Sequence, residues 1–286
     1  MKYRIGDFIF EICAEEGLEF PEHFQLFQTD ADAETDVVYR LEIVDQLPEI
    51  EGDCISQRPD IQIFEKDHLE ARRLSIVGMP VVYGVYQEIS PEEIHCFLHK
   101  DFLDMLSTDT IFVSLFALEK QMIARQAAIL HCSVVKTGDQ VMLLSGPSGI
   151  GKSTHADLWM KYKNAKVING DRTLICKRND QWMSLGWPIC GSSEICHNED
   201  YPISRVVFLG QAKENQGRRL SYVEGIKHLI SQTTANNWNA DFVQNVWQII
   251  EEMAADVPVY EYACNMEKAA VDELEKLVEK NNGCIR

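Results

Sequence analysis

The sequence predicts an α/β protein in two parts, a small β-rich N-terminal domain over residues 1–107 and a mixed α/β domain over 108–286. Three observations predict it. Period-two alternation dominates the first part, and short apolar runs take turns with helical stripes in the second. Between them in kind, one glycine-rich turn joins an apolar run straight to a helical pattern at 143–160. A chain of 286 residues is long enough to bury one large core or two modest ones.

In the first part, strand patterns cover 3–12, 37–44, 61–64 and 74–86, with loops at Pro21, 30–36 and 48–53. No catalytic motif lies here. Its acidic residues read as a solvated face, and its expected role is recognition of a partner or substrate.

The second part opens with Thr108 or Asp109 as the cap of a helix running to about Gln126, with Phe112, Leu115, Leu118 and Met122 on one stripe. Strands at 128–135 and 140–145 follow, joined by a tight Gly138-Asp139 turn that sets His131 opposite Gly146. A strand at 165–169 ends at Gly170-Asp171, and 173–177 pairs with 181–185 as a second hairpin. Strands at 205–209 and 257–263 and helices at 224–233, 240–254 and 268–280 complete the domain.

Composition narrows the class. Hydrophobic content of 45% and charged content of 25% are those of a globular domain. A net charge of −18 makes nucleic acid a poor partner, because phosphate backbones would be repelled. No stretch approaches the ~18 apolar residues of a membrane span, so no membrane partner is expected. Met1-Lys2-Tyr3-Arg4 leads into alternating residues and not into a signal peptide, and nine cysteines are an odd number without paired spacing. Both features predict a cytoplasmic protein. Cys190, Cys196 and His197 lack a C-x-x-C pair and do not predict zinc.

The chemistry concentrates at the glycine-rich turn. Gly146, Pro147, Ser148, Gly149, Ile150, Gly151, Lys152 and Ser153 fit G-x-x-x-x-G-K-[ST] at every position, with Thr154 directly behind. Glycines let successive N–H groups face one anion, and the helix that starts near Ser153 adds its positive end. The pattern predicts ATP as ligand, Lys152 on its terminal phosphates and the Ser153 hydroxyl on Mg²⁺.

His131 is a candidate acid–base group, because the hairpin register brings it beside the first glycine of the loop. Asp171 is the expected second oxygen ligand of Mg²⁺; the bland alternative is a turn residue in Asn-Gly-Asp. Glu194, at the end of the irregular stretch 186–194, is a further candidate metal carboxylate, with an ordinary loop as its alternative. Arg172, Arg205, Arg218 and Arg219 are candidates for clamping phosphate or an acidic substrate.

The loop Gly-Pro-Ser-Gly-Ile-Gly-Lys-Ser, a histidine on the preceding hairpin and an aspartate after the next strand resemble HPr serine kinase/phosphorylase and its relatives. The series "LHCSVV", "GPSGIGKST", "INGDR", "GWPICGSS" and "VPVYEYAC" looks closest to bacterial HPr-kinase-like proteins associated with peptide modification. The resemblance covers roughly residues 125–265 and implies the nucleotide fold shared with phosphoenolpyruvate carboxykinase. It implies Lys152 and Ser153 on phosphate and Mg²⁺, Asp171 as one acidic site residue, and His131 near the attacked phosphate. One departure stands out. HPr kinases carry two adjacent aspartates after this strand, whereas this chain reads Gly170-Asp171-Arg172.

Together these features predict an ATP-dependent kinase acting on a hydroxyl, serine first, of a peptide, protein or small molecule. The alternative is a nucleotide-gated binding module without phosphotransfer, acting in a peptide-modification pathway. A carboxykinase is disfavoured because the chain is too short for that enzyme's substrate half. The sequence leaves a homo-oligomer open.

Overall fold

The computed structural model describes residues 1–79 and 81–282. The chain divides into two compact units, Met1–Gln121 and a second from Met122 onward. The division falls later than the sequence-based boundary at 107/108 because Phe112 and Phe116 belong to the first unit's aromatic core. Phe112 meets Phe24 at 4.4 Å and Phe20 at 5.0 Å, and Phe116 meets Tyr39 edge-on at 5.2 Å.

The first unit is an eight-stranded sheet. Its strands are β1 (Lys2–Ile5), β2 (Phe8–Cys13), β3 (Val37–Val44), β4 (Asp53–Gln57), β5 (Ile61–Lys66), β6 (Leu69–Ser75), β7 (Val82–Glu88) and β8 (Glu93–His99). They lie in the order β1-β2-β3-β8-β7-β6-β5-β4. The predicted strand 3–12 is a hairpin turning at left-handed Gly6 (φ 59°), and the predicted 74–86 is two strands, β6 and β7. Not all the acidic residues here are solvated. Glu70 is buried and accepts from the equally buried Arg72 at 2.6 Å, a pairing that lets both charges leave water.

The predicted helix 108–126 is two short helices, α1 (Asp109–Leu115) and α2 (Leu118–Ile123), preceded by a 3₁₀ segment (Lys100–Ser107). Ala117, at φ 47°, breaks the run. The stripe of Phe112, Leu115, Leu118 and Met122 is buried, as expected of core, but two helices carry it.

The second unit is built on two long strands. β9 (Ala127–Thr137) pairs with β10 (Gln140–Ser145), with β11 (Lys166–Asn169) and with β12 (Arg172–Arg178). β12 turns back through Asn179 and Asp180, both left-handed, into β13 (Gln181–Leu185). β14 (Tyr201–Gln211) pairs with β13 at its start and runs parallel to β10 further on. The pairings β9–β10–β14–β13–β12–β9 therefore close a ring. β16 (Val259–Cys264) lies parallel to β14, with β15 (Gln216–Arg219) outside it.

Both faces of the parallel core are apolar because helices cover both. Val141, Leu143 and Val206 pack with residues of α4 (Tyr222–Gln232) and α5 (Ala240–Asp256). Met142, Leu144, Val207 and Leu209 pack with residues of α3 (Lys152–Lys163) and α6 (Lys268–Asn282). A mixed α/β fold with two large sheets is thus what the chain forms.

One core residue is chemically out of place. His155, in the second turn of α3, is fully buried, neither ring nitrogen has a hydrogen-bond partner, and the ring stands edge-on to Tyr262 at 6.1 Å. Burial lowers its pKa to about 4 from the ordinary 6.5. A histidine depressed in the folded state favours folding above the unfolded pKa, and that contribution is lost as pH falls from about 6.5 toward 4. His155→Phe should therefore make stability less acid-sensitive. Urea unfolding at pH 7 and pH 5 should show the wild type losing about 2 kcal/mol more than the variant between the two.

Candidate functional site

The loop between β10 and α3 is shaped by glycine. Gly146, Gly149 and Gly151 have φ of 139°, 78° and 109°, values that L side chains rarely adopt. Gly151 is the N-cap of α3 and makes no side-chain cap. The first-turn N–H groups of this 12-residue helix thus lack the oxygen that a Ser or Asp cap would supply. Pro147, Ser148, Gly149, Ser153 and Thr154 are exposed, and Ile150 is half-buried. Lys152 is buried, and its ammonium donates to the carbonyls of Gly146 (3.0 Å) and Pro147 (3.3 Å). Burial lowers the Lys152 pKa, and the negative charge of Asp171 opposes that shift.

Across the hairpin, β9 and β10 pair in the register the Gly138-Asp139 turn dictates, through Ser145↔Cys132. The next position sets His131 against Gly146, and the Ser145 hydroxyl donates to the His131 carbonyl at 2.8 Å. On its other side, His131 is paired with Arg172 in β12. His131 Nε2 lies 3.5 Å from Asp171 Oδ1, and Arg172 Nε donates to Asp171 Oδ2 at 3.0 Å. Burial by itself would raise the Asp171 carboxyl, but His131 and Arg172 outweigh it and hold it below the usual carboxylate range. Lys152, His131 and Asp171, distant in sequence, are drawn together.

Asp171 is aimed by a residue that sequence reasoning passed over. The buried Asn169 accepts from the backbone N–H groups of Asp171 (2.9 Å) and Arg172 (3.0 Å), and donates to the carbonyls of Trp187 and Ile189, both at 2.9 Å. The Asn-Gly-Asp turn was its signal, since Asn commonly bonds the backbone two residues on. Gln232, at the end of α4, meets His131 Nδ1 at 3.2 Å and left no signal in the sequence.

The stretch after β13 closes over the turn. A 3₁₀ turn, Gly191–Ser193, sits against Gly170 and Asp171. A Cβ at Gly170 would lie 1.8 Å from the Ser193 hydroxyl, and one at Gly191 would lie 2.9 Å from the Asp171 carboxyl carbon. Ser193 donates in turn to the Cys190 carbonyl at 2.7 Å. The place a second carboxylate would start from is therefore filled by Ser193. Glu194 follows at φ 54°, with an exposed side chain. Among the described residues, no group of three or more His, Cys, Asp and Glu side chains gathers as a metal cluster, so Glu194 does not join Asp171 and His131 in one.

A cavity of roughly 690 Å³ lies beside the loop, bounded by Gly146, Pro147, the end of β14 (Phe208–Gly210), β15, Gln232 and β16. It stands at the carboxyl ends of the parallel strands β10, β14 and β16, where open α/β sheets hold their ligands. Of the candidate arginines, Arg172 is at the site. Arg218 lines the cavity but is engaged by Glu224 (2.9 Å) and Glu261 (2.6 Å). Arg205 is half-buried and donates to Ser204, and Arg219 is exposed in β15.

No family model and no curated protein matches the chain. Among solved structures, the chain is distantly similar to the Hpr(Ser) kinase/phosphatase from Coxiella burnetii. The two are 10% identical with a TM-score of 0.33, over 54% of this chain and 90% of that one. No helix among the described residues is long and apolar enough to cross a membrane.

The packing at position 170 has a direct consequence. Gly170→Ala should destabilise the protein by about 1–3 kcal/mol, because its methyl group must displace Ser193. Ser193→Gly in the same chain should recover most of the loss, a coupling that urea unfolding of the two single variants and the double variant would read.

Proposed function

We propose that the chain is an ATP-dependent kinase of HPr-kinase-like type, transferring the γ-phosphate to a hydroxyl, serine first, of a peptide, protein or small molecule. The observation that carries the reading is the convergence of three groups on one point. The glycine loop brings a helix start without a side-chain cap, Lys152 brings a cation, and His131 with Asp171 brings a proton acceptor and an ionised carboxylate. Phosphoryl transfer asks chiefly for positioning and charge stabilisation, and this set supplies both.

The donors present suit the ligands the reading requires. Backbone amides at a helix start and a lysine are a phosphate cradle, and the cavity of roughly 690 Å³ next to Gly146 has room for the nucleoside. Mg²⁺ takes few protein ligands and keeps water and phosphate oxygens, so the Ser153 hydroxyl and the Asp171 carboxylate are a sufficient protein share. Bound there, Mg²⁺ would neutralise charge on the phosphates. Residues 146–154 would hold the triphosphate, and Asp171 would face the metal. His131 would take the acceptor's proton, and the N-terminal unit would recognise the acceptor.

A second reading, a nucleotide-gated binding module without transfer, is favoured by Ser193, whose side chain leaves no room for a carboxylate at Gly170. Incubation with γ-labelled ATP and Mg²⁺ separates the two. The kinase reading expects ADP release and transfer of label, and the binding reading expects nucleotide binding with no release.

Lys152→Ala should abolish nucleotide binding or turnover in a protein that still folds, and isothermal titration with ATP checks it; an unchanged affinity would refute the loop assignment. Asp171→Asn keeps the shape and removes the charge. It should weaken Mg²⁺-dependent turnover far more than metal-free nucleotide binding, as a titration of rate against Mg²⁺ concentration would show.

A further inference from the structure

We propose that Ser192 is itself a phosphorylation site, modified by the site it overhangs in the same chain. The chemistry rests on the kinase reading, and the place rests on the 3₁₀ turn Gly191–Ser193. Both ends of that turn lie on Gly170-Asp171. Gly191 meets the Asp171 carboxylate so closely that a Cβ there would stand 3.0 Å from Oδ1, and Ser193 fills the space over Gly170. Gly191 comes this near because it has no side chain and holds φ at 58°, a left-handed value. Ser192 is the residue between them, one Cα–Cα step of about 3.8 Å from each. The base of the turn is pinned at three points. Asn169 donates to the Ile189 carbonyl at 2.9 Å, the Ser193 hydroxyl to the Cys190 carbonyl at 2.7 Å, and the Glu194 N–H to the Gly191 carbonyl at 3.4 Å.

The other serine hydroxyls packed around Gly170-Asp171 are committed, and that of Ser192 is not. A hydroxyl has a single proton to give. Ser133 gives it to the Gly170 carbonyl, Ser145 to the His131 carbonyl and Ser193 to the Cys190 carbonyl, and the first two are also buried. Ser192 is exposed, and among the described residues its hydroxyl has no hydrogen-bond partner. An acceptor built into the chain is also spared the entropy that a separate molecule loses on docking. In the step, Ser192 Oγ bonds the γ-phosphorus of ATP as the bond from that phosphorus to the β,γ-bridging oxygen breaks. The electron pair of the broken bond leaves with ADP, and the hydroxyl proton goes to the water around the exposed turn. A loose transition state allows this, because the nucleophile is little bonded when the leaving group departs.

Two measurements on the intact protein test the proposal, and the first needs no turnover. In a titration with Mg²⁺ and the non-hydrolysable β,γ-imido analogue of ATP, the Ser192 amide should shift together with those of Gly149 and Lys152. Loop amides that respond while Ser192 stays in place would overturn the proposal and leave the loop assignment standing. The second uses γ-labelled ATP and Mg²⁺ with no added acceptor. Tandem mass spectrometry should place a single phosphate on Ser192, at a rate per chain that does not change with protein concentration. Ser192→Ala should lose that label and still release ADP, and Ser192→Thr, which restores a hydroxyl, should regain it. ADP release without label on Ser192, label on another residue instead, or labelling that speeds up with protein concentration would overturn the proposal while the kinase reading survives. No ADP release at all would end the kinase reading and the proposal with it.

Discussion

The site depends on one side chain, the amide of Asn169. It is 3% exposed and uses its whole hydrogen-bonding capacity, two donors on the carbonyls of Trp187 and Ile189 and two acceptor positions on the N–H groups of Asp171 and Arg172. These four bonds tie the turn after β11 to the segment after β13. Backbone bonds from Gly170 N–H to the Ile195 carbonyl (3.2 Å) and from His197 N–H to the Ile168 carbonyl (3.0 Å) add to them, but without the amide each buried polar group it satisfies would cost about 1–3 kcal/mol. An aspartate at 169 would not substitute, since it would turn acceptors toward two carbonyls. With the turn fixed, Asp171 faces His131, Arg172 enters β12, and Gly170 passes beneath Ser193.

The second constraint is the length of β9. Its later residues pair with β10 and its earlier ones with β12, so one strand carries the hairpin before the glycine loop and the strand that follows Asp171. Ser133 and Ser145 secure the junction, one donating to the Gly170 carbonyl at 2.9 Å and the other to that of His131. His131 is thereby held between the end of β10 that leads to Lys152 and the start of β12 that follows Asp171. The arrangement is a property of the ring of strands, and a conventional sheet with a helix after each strand would not provide it.

Much of this was legible because it is local. The Gly138-Asp139 turn allows one pairing, and the observed register carries it from Gln140↔Thr137 to Ser145↔Cys132. The β3 strand, the loop helix and the last three helices were legible by period; α4 starts at Tyr222, ahead of the expected 224, because Ser221 and Glu224 form a capping box. What was illegible is tertiary. The helix expected over 108–126 breaks at Ala117, a residue with no breaking tendency of its own. β4 and β15 bury no side chain and so carry no alternation, whereas β8 alternates cleanly, with Ile94, Cys96 and Leu98 buried, and was passed over. Gln232 reaches His131 only because α4 ends beside β9. Glu194 looked useful for its type, yet its backbone leaves its side chain in solvent. The glycine at 170 read as a missing carboxylate; in the fold it is the residue that makes room for Ser193.

The central claim is that residues 146–154 hold phosphate, and amide chemical shifts test it most directly. In titrations of the intact protein, ATP with Mg²⁺ and inorganic tripolyphosphate with Mg²⁺ should both move the amides of Gly149, Gly151, Lys152 and Ser153, whereas adenosine should leave them in place. Shifts confined to other parts of the chain, or loop amides that respond to adenosine and ignore tripolyphosphate, would contradict the account.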